Sequence, residues 1–110
     1  MARTLHLLSS RFREPWTLEF LAREVGVSRG RLAALFSTET GSTIHRTLLK
    51  QRIAAAKYLL RNSDLTIGEV AQACGFQTGE HFARIFRAQN GSTPRGFRNH
   101  APTTELDGNR

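Results

Sequence analysis

Apolar positions repeat at helical spacing along the chain, most clearly over Thr66–Phe86, TIGEVAQACGFQTGEHFARIF. Ile67, Val70, Ala71 and Cys74 stand at i, i+3, i+4 and i+7, one stripe of a helix. Thr66 precedes that stripe, where a hydroxyl can accept from the first free backbone N–H groups. Gly75 follows it, where glycine takes the left-handed conformation that ends a helix. Phe76 opens the connection, and Phe82, Ile85 and Phe86 restart a helical stripe. A helix, a glycine corner and a second helix make a helix-turn-helix. His81, Arg84 and Arg87 fall outside the second stripe, as expected of a helix offered to a DNA major groove.

The same pattern occurs earlier. Leu18, Leu21, Ala22 and Val25 form a stripe, Gly26 is the corner, Val27 takes the place of Phe76, and Ser28 is placed to cap the next helix. Leu32, Leu35 and Phe36 then match Phe82, Ile85 and Phe86. Both copies close on one triplet, Gly41-Ser42-Thr43 and Gly91-Ser92-Thr93. The corner glycines stand 49 residues apart and the closing glycines 50, so the second copy carries one extra residue in its turn. Matched apolar positions plus a shared triplet indicate an internal repeat.

Around the two copies, Leu5, Leu8 and Phe12 lie at helical spacing with Leu7 beside them, and predict a first helix ending before Glu14-Pro15. Trp16 is expected to pack on the first repeat and Thr17 to cap its first helix. The first outward helix is expected over Ser28–Thr38. The longest periodic segment is Ser42–Arg61, with Ile44, Leu48, Leu49, Ile53, Ala56, Leu59 and Leu60 in a wide stripe. Its 18–20 residues would span roughly 27–30 Å, near the roughly 34 Å between successive major-groove segments on one face of B-DNA. It reads as a core helix that also spaces two heads. Asn62-Ser63-Asp64 breaks it, and Thr93-Pro94 starts a short last helix over 94–99 with Phe97 turned inward.

Composition narrows the chemistry. The 110 residues make one domain or two very small ones, and neither repeat alone is long enough to bury much core. The longest apolar runs fall far short of a membrane span, and no signal-peptide hydrophobic region follows Met1, so the expected location is cytoplasmic. Cys74, the one cysteine, lies on an apolar stripe and reads as a small buried hydrophobe. His6, His45, His81 and His100 show no metal-ligand spacing, and no phosphate loop, nucleophile motif or carboxylate pair is present. The expectation is no enzyme, no metal and no cofactor. Net charge is +7, from fourteen arginines and two lysines against nine acids, which suggests an anionic partner. That charge gains meaning because several arginines fall on the two outward helices.

Leu21-Ala22, Gly26-Val27-Ser28, Leu32 and Leu35-Phe36 resemble the first half of the DNA-binding domain of AraC/XylS-type bacterial transcription regulators. Arg52, Ala56, Leu59-Leu60, Ile67, Val70-Ala71, Gly75-Phe76, Phe82, Phe86, Gly91, Thr93-Pro94, Phe97 and Arg98 resemble its second half. The resemblance covers about Thr4 to His100. It implies an all-α fold of about seven helices, two helix-turn-helix subdomains joined by a long central helix. The implied layout is a domain over 1–100, with subdomains at about 4–41 and 65–100, a linker helix at about 42–61, and a disordered tail over 101–110. It also implies double-stranded DNA as partner, binding in two adjacent major-groove segments, contact with RNA polymerase, and a longer ligand-responsive regulator whose missing domain would carry any oligomerisation.

By the family pattern the DNA-binding positions are Arg29, Gly30, Arg31, Ala33 and Ala34 on the third helix. On the sixth they are Thr78, Gly79, Glu80, His81, Ala83, Arg84 and Arg87. Gly30, Ala33 and Ala34 depart from the large polar or aromatic residues that family members often place there. Alanine can still meet a thymine methyl, and arginine can pair with guanine O6 and N7. Base reading and backbone docking stand level for Arg29 and Arg31; Arg84 is expected to contact a base and Arg87 a phosphate. Glu80 reads as a solvated charge near the helix start, and Arg52 and Arg98 as structural or backbone-contacting residues. A helical protein-interaction module that does not read DNA remains the alternative.

Overall fold

The structure is a computed structural model that describes residues 2–99; the expectation for the 101–110 tail falls outside them. Seven helices and no strand occur among the described residues: α1 (Ala2–Ser10), α2 (Leu18–Val25), α3 (Arg29–Thr40), α4 (Ile44–Asn62), α5 (Ile67–Ala73), α6 (Gly79–Asn90) and α7 (94–99). The all-α fold read from the sequence is the fold observed. Two compact units divide the chain inside α4, the first ending at Arg52 and the second beginning at Ile53.

In the first unit Leu7 and Leu8 of α1, Leu21 and Ala22 of α2, Leu32 and Phe36 of α3 and Leu48 of α4 form the core. Trp16 packs against it, donates its indole N–H to the Arg11 carbonyl at 2.7 Å, and stacks on Phe20 with centroids 5.1 Å apart. The buried side of α1 is Thr4, Leu7 and Leu8, not the Leu5–Leu8–Phe12 stripe; Leu5 is 41% exposed. In so short a helix the stripe can turn by one position, and Thr4 is buried where Leu5 was expected. α1 also ends earlier than expected, at Ser10, where the Ser9 and Ser10 hydroxyls donate to the His6 carbonyl. Such local side-chain bonds compete with continued helix.

In the second unit the buried residues are Ile53, Ala56 and Leu60 of α4, Val70 and Ala71 of α5, Cys74 and Phe76 of the turn, and Phe82 and Phe86 of α6. Four aromatic rings run through it in sequence: Phe76 to Phe82 at 5.0 Å, Phe82 to Phe86 at 5.6 Å and Phe86 to Phe97 at 5.4 Å between centroids. Cys74 is fully buried, the small hydrophobe its position suggested.

One arginine braces the approach to each helix-turn-helix. Arg52 donates from Nε to the Phe12 carbonyl and from Nη2 to the Glu14 carbonyl, both at 2.7 Å. Arg98 donates to the Leu60 carbonyl at 3.0 Å and the Ser63 carbonyl at 3.3 Å. Glu14 and Ser63 each stand three residues before a capping threonine, Thr17 and Thr66. The two arginines therefore fasten the same point of the repeat, which agrees with the structural role the sequence suggested.

Candidate nucleic-acid interface

Local chemistry builds the two turns almost identically. In the first, Thr17 accepts from the Phe20 N–H at 3.0 Å and starts α2. Gly26 ends it at φ +79°, a left-handed conformation that strains any residue with a Cβ. The Gly26 N–H reaches the Arg23 carbonyl and the Val27 N–H the Ala22 carbonyl, a Schellman closure. Ser28 follows at once and accepts from the Arg31 N–H, starting α3.

In the second turn, Thr66 and Glu69 form a reciprocal capping box: the hydroxyl accepts from the Glu69 N–H at 3.1 Å, and the carboxylate from the Thr66 N–H at 2.8 Å. Gly75 takes φ +93°, its N–H reaching the Gln72 carbonyl, and the Phe76 N–H reaches the Ala71 carbonyl. Gln77 is the extra residue, and Thr78 then caps α6 by accepting from the His81 N–H at 3.0 Å. The expected one-residue difference between the turns is present. The closing triplets match too: Thr43 accepts from the Arg46 N–H and Thr93 from the Gly96 N–H, each at 3.0 Å.

On α3 the candidate residues Arg29, Gly30, Arg31, Ala33 and Ala34 are all exposed. Leu35, expected to match Ile85 in an apolar stripe, is 36% exposed, so only Leu32 and Phe36 of α3 are buried. The apolar side of α3 is narrow because a single row at i and i+4 reaches the core. On α6, Glu80, Arg84 and Arg87 are exposed, while Gly79, His81 and Ala83 are half-buried. Thr78 is exposed, with its hydroxyl engaged in capping. His81 is less free than its place outside the stripe suggested: its ring lies edge-on to Phe76, 5.8 Å between centroids. The side chains of Arg31, Arg84 and Arg87 form no ion pair or hydrogen bond among the described residues.

Arg29 is different. Its Nη1 lies 3.8 Å from Oε2 of Glu19, on the first turn of α2. Sequence reading missed Glu19, because the two residues stand ten apart on different helices and follow no single-helix spacing. No sequence signal joins them; they meet only because the fold brings the first turns of α2 and α3 together. A groove of about 450 Å³ also lies beside α3, lined by Trp16, Thr17, Leu18, Ala33, Ser37, Thr43, Ile44, His45 and Leu48. It places Ala33 beside an apolar hollow as well as on the outward face. Burial holds the Arg52 guanidinium below the pKa of an exposed arginine. No helix among the described residues is long and apolar enough to cross a membrane.

The family model described as "Helix-turn-helix domain" matches residues 21–100. Among curated relatives, the HTH-type transcriptional activator RhaR of Cronobacter sakazakii is 38% identical over 84 residues, covering 76% of this chain and 30% of the relative. RhaR of Escherichia coli K12 is 32% identical over 91 residues, covering 83% and 32% respectively. The chain thus spans about a third of the length of these relatives. Among solved structures, the DNA-binding domain of the global transcriptional factor AdpA, in complex with a target DNA, superposes with a TM-score of 0.89 at 31% identity, covering 94% of both chains. A Chromobacterium violaceum regulator with an AraC-type DNA-binding domain superposes with a TM-score of 0.81 at 31% identity, covering 90% of this chain and 88% of that one. With the repeated turns, the caps and the matched span taken together, this chain belongs to the AraC-type helix-turn-helix family.

Proposed function

We propose that the chain is the sequence-specific DNA-binding part of a longer cytoplasmic transcription regulator, and that α3 and α6 are its major-groove helices. The observation that carries this reading is a match over 94% of the chain to a domain crystallised on its target DNA, with Arg31, Arg84 and Arg87 exposed on α3 and α6 and without a side-chain partner among the described residues. Arg84 sits in the middle of α6 and is assigned a base contact; Arg87, one turn from the C-terminal end, is assigned a phosphate. Arg29 and Arg31 supply the only cationic donors on the outward side of α3, with Ala33 and Ala34 available to thymine methyl groups. Thr78 and Glu80 flank Gly79 at the start of α6; on α3, exposed Gly30 has open space where a Cβ would stand, which leaves room there for close approach.

The domain division expected from the sequence, two heads at about 4–41 and 65–100 with a helix between, is part of this proposal. So is the absence of enzymatic activity. The RhaR relatives are named transcriptional activators, which supports activation as the role of the whole protein; contact with RNA polymerase is part of the proposal as the family resemblance implies it.

Selection of bound fragments from a genomic library tests the reading and reveals the site in one experiment. A recurrent motif among the recovered fragments is the expected result. Affinity for that motif should fall steeply with salt, because phosphate contacts release condensed counterions. Recovery of no duplex, or binding that ignores salt, would leave the protein-interaction module as the better reading.

A further inference from the structure

The internal repeat sets an alanine of the first head where the second head carries its assigned base reader. Counting from the capping residues Ser28 and Thr78, Ala34 corresponds to Arg84 and Gly30 to Glu80. Ala34 and Arg84 are placed alike on their helices. Each stands two residues from both buried anchors, Leu32 and Phe36 on α3 and Phe82 and Phe86 on α6, and so about 160° around the helix from either. Ala34 therefore lies at the middle of the outward face of α3, and it is exposed. One turn before it, Gly30 has nothing within 4 Å of where a Cβ would stand. Ala33, beside it, is exposed as well. Arg31 stands to the other side, about 60° around the helix from Ala34.

We infer that Ala34 is a specificity-determining residue of the first head and reads the 5-methyl group of a pyrimidine, taking thymine and 5-methylcytosine alike. This rests on the DNA-binding reading. Gly30, Ala33 and Ala34 carry no side-chain donor or acceptor, so the middle of this face cannot tell one hydrogen-bonding base edge from another. The major groove offers one apolar group, the methyl at C5 of thymine, and an alanine methyl can pack on it. That contact needs close approach. The short side chains at positions 30, 33 and 34 let the backbone of α3 come near a base, whereas Arg84 reaches its base across a long side chain. 5-Methylcytosine presents the same methyl at the same ring position. It differs from thymine at C4, where an amino donor replaces a carbonyl acceptor, and alanine engages neither. Cytosine without the methyl leaves Ala34 no apolar partner. Arg31, to the side, keeps its hydrogen-bonding capacity for a neighbouring base pair. The second head has no such preference at the equivalent point, because Arg84 reads by hydrogen bonds.

The test uses the duplex recovered by genomic selection, in the half whose base preferences Arg84→Ala leaves unchanged. Each thymine there is replaced in turn by deoxyuridine, which removes only the methyl. One such replacement should weaken binding about fourfold, the worth of burying one methyl group. At the same position a C·G pair should bind about fourfold more weakly than its 5-methylcytosine counterpart. Ala34→Gly should bind the thymine and deoxyuridine duplexes equally, and the cytosine and 5-methylcytosine duplexes equally. Ala88→Gly, which places a glycine at an exposed position of α6, should keep the full discrimination. The readout is a ratio between duplexes, so a loss of helix stability in either variant cancels. A half-site without an A·T pair, deoxyuridine binding as well as thymine at every position, 5-methylcytosine gaining nothing over cytosine, or discrimination that survives Ala34→Gly would each overturn the inference. If wild type binds no duplex, the DNA reading falls and this inference with it; if wild type binds and ignores the methyl, this inference falls alone.

Discussion

The two units share their turns and differ in what surrounds them. The first seats Phe36 among leucines and leaves Val27 of its turn half-buried, while the second buries Phe76 and runs four rings from the turn through α6 to α7. The extra residue Gln77 goes with this: it separates the buried Phe76 from the cap Thr78, so ring and cap need not share one bend. Outside, the order of chemistry reverses. Arg29 on α3 lies 3.8 Å from Glu19, and the remaining positions between Arg31 and Leu35 are small or apolar; Arg84 and Arg87 on α6 have no side-chain partner among the described residues. One backbone plan thus supports two heads of unequal polar equipment. The second has the stiffer aromatic interior and the freer arginines.

The largest effect should come from the rings. Phe82→Ala removes a fully buried ring that touches both Phe76 and Phe86, and should destabilise by about 4–5 kcal/mol. Phe36→Ala removes a ring of equal burial among aliphatic neighbours and should cost about 3–4 kcal/mol. Urea unfolding followed by circular dichroism gives both numbers, and the emission of Trp16, the single tryptophan, reports on the first unit. Equal losses would remove the claimed difference between the interiors.

The arginine braces rank the units the other way. Arg52 holds two carbonyls at 2.7 Å from a partly buried site, so Arg52→Lys, which cannot make both bonds, should cost about 2–3 kcal/mol. Arg98 makes longer bonds of 3.0 and 3.3 Å, and Arg98→Lys should cost about 1–2 kcal/mol. The same urea titration reads both. A larger loss at Arg98 would mean that bond length does not rank these braces.

On DNA, Arg84→Ala should cost about 1–3 kcal/mol on the selected duplex and relax one base position. Arg87→Ala should weaken all duplexes about equally and flatten the salt slope by about one counterion. Arg31→Ala should cost less than Arg84→Ala on the selected duplex. A base-by-base substitution scan of the bound site then sharpens the contrast: the half assigned to α6 should tolerate substitution less than the half assigned to α3. Equal sensitivity in the two halves would show that α3 reads as strictly as α6 despite Gly30, Ala33 and Ala34.

What the sequence disclosed was local. Caps at Thr17, Ser28 and Thr66, corners at Gly26 and Gly75, the extra turn residue and the matched triplets all depend on neighbours within five residues, and each was found in place. Burial was less legible where a helix offers only one narrow row to the core, so Leu5 and Leu35 came out exposed. Arg52 and Arg98 could be set aside as base readers, yet their carbonyl partners lie 35 to 40 residues away, beyond any periodic signal. The Glu19–Arg29 contact was equally hidden. Only after the fold has aligned the first turns of α2 and α3 do the two side chains share a location.

The smallest effect concerns the caps that start each helix-turn-helix. Thr66→Ala deletes half of a reciprocal box, since the Glu69 carboxylate still accepts from the residue 66 N–H, and should cost about 1 kcal/mol. Thr17→Ala deletes a one-way cap, because Phe20 occupies the third helical position of α2 and has no acceptor to return, and should cost about 0.5–1 kcal/mol. The difference lies in coupling. Each half of the box holds the other's geometry, so the combined loss in Thr66→Ala with Glu69→Ala should be smaller than the sum of the two single losses. Phe20→Glu would complete a box in the first unit, but it also removes the ring stacked 5.1 Å from Trp16. A stack of that kind is worth about 0.5–1.5 kcal/mol, so the gain from the new cap should be offset or exceeded, and the variant should unfold at or slightly below the wild-type midpoint. A clear stabilisation by Phe20→Glu would mean that the exposed ring contributes nothing to the first unit and that its simpler cap is a plain deficit.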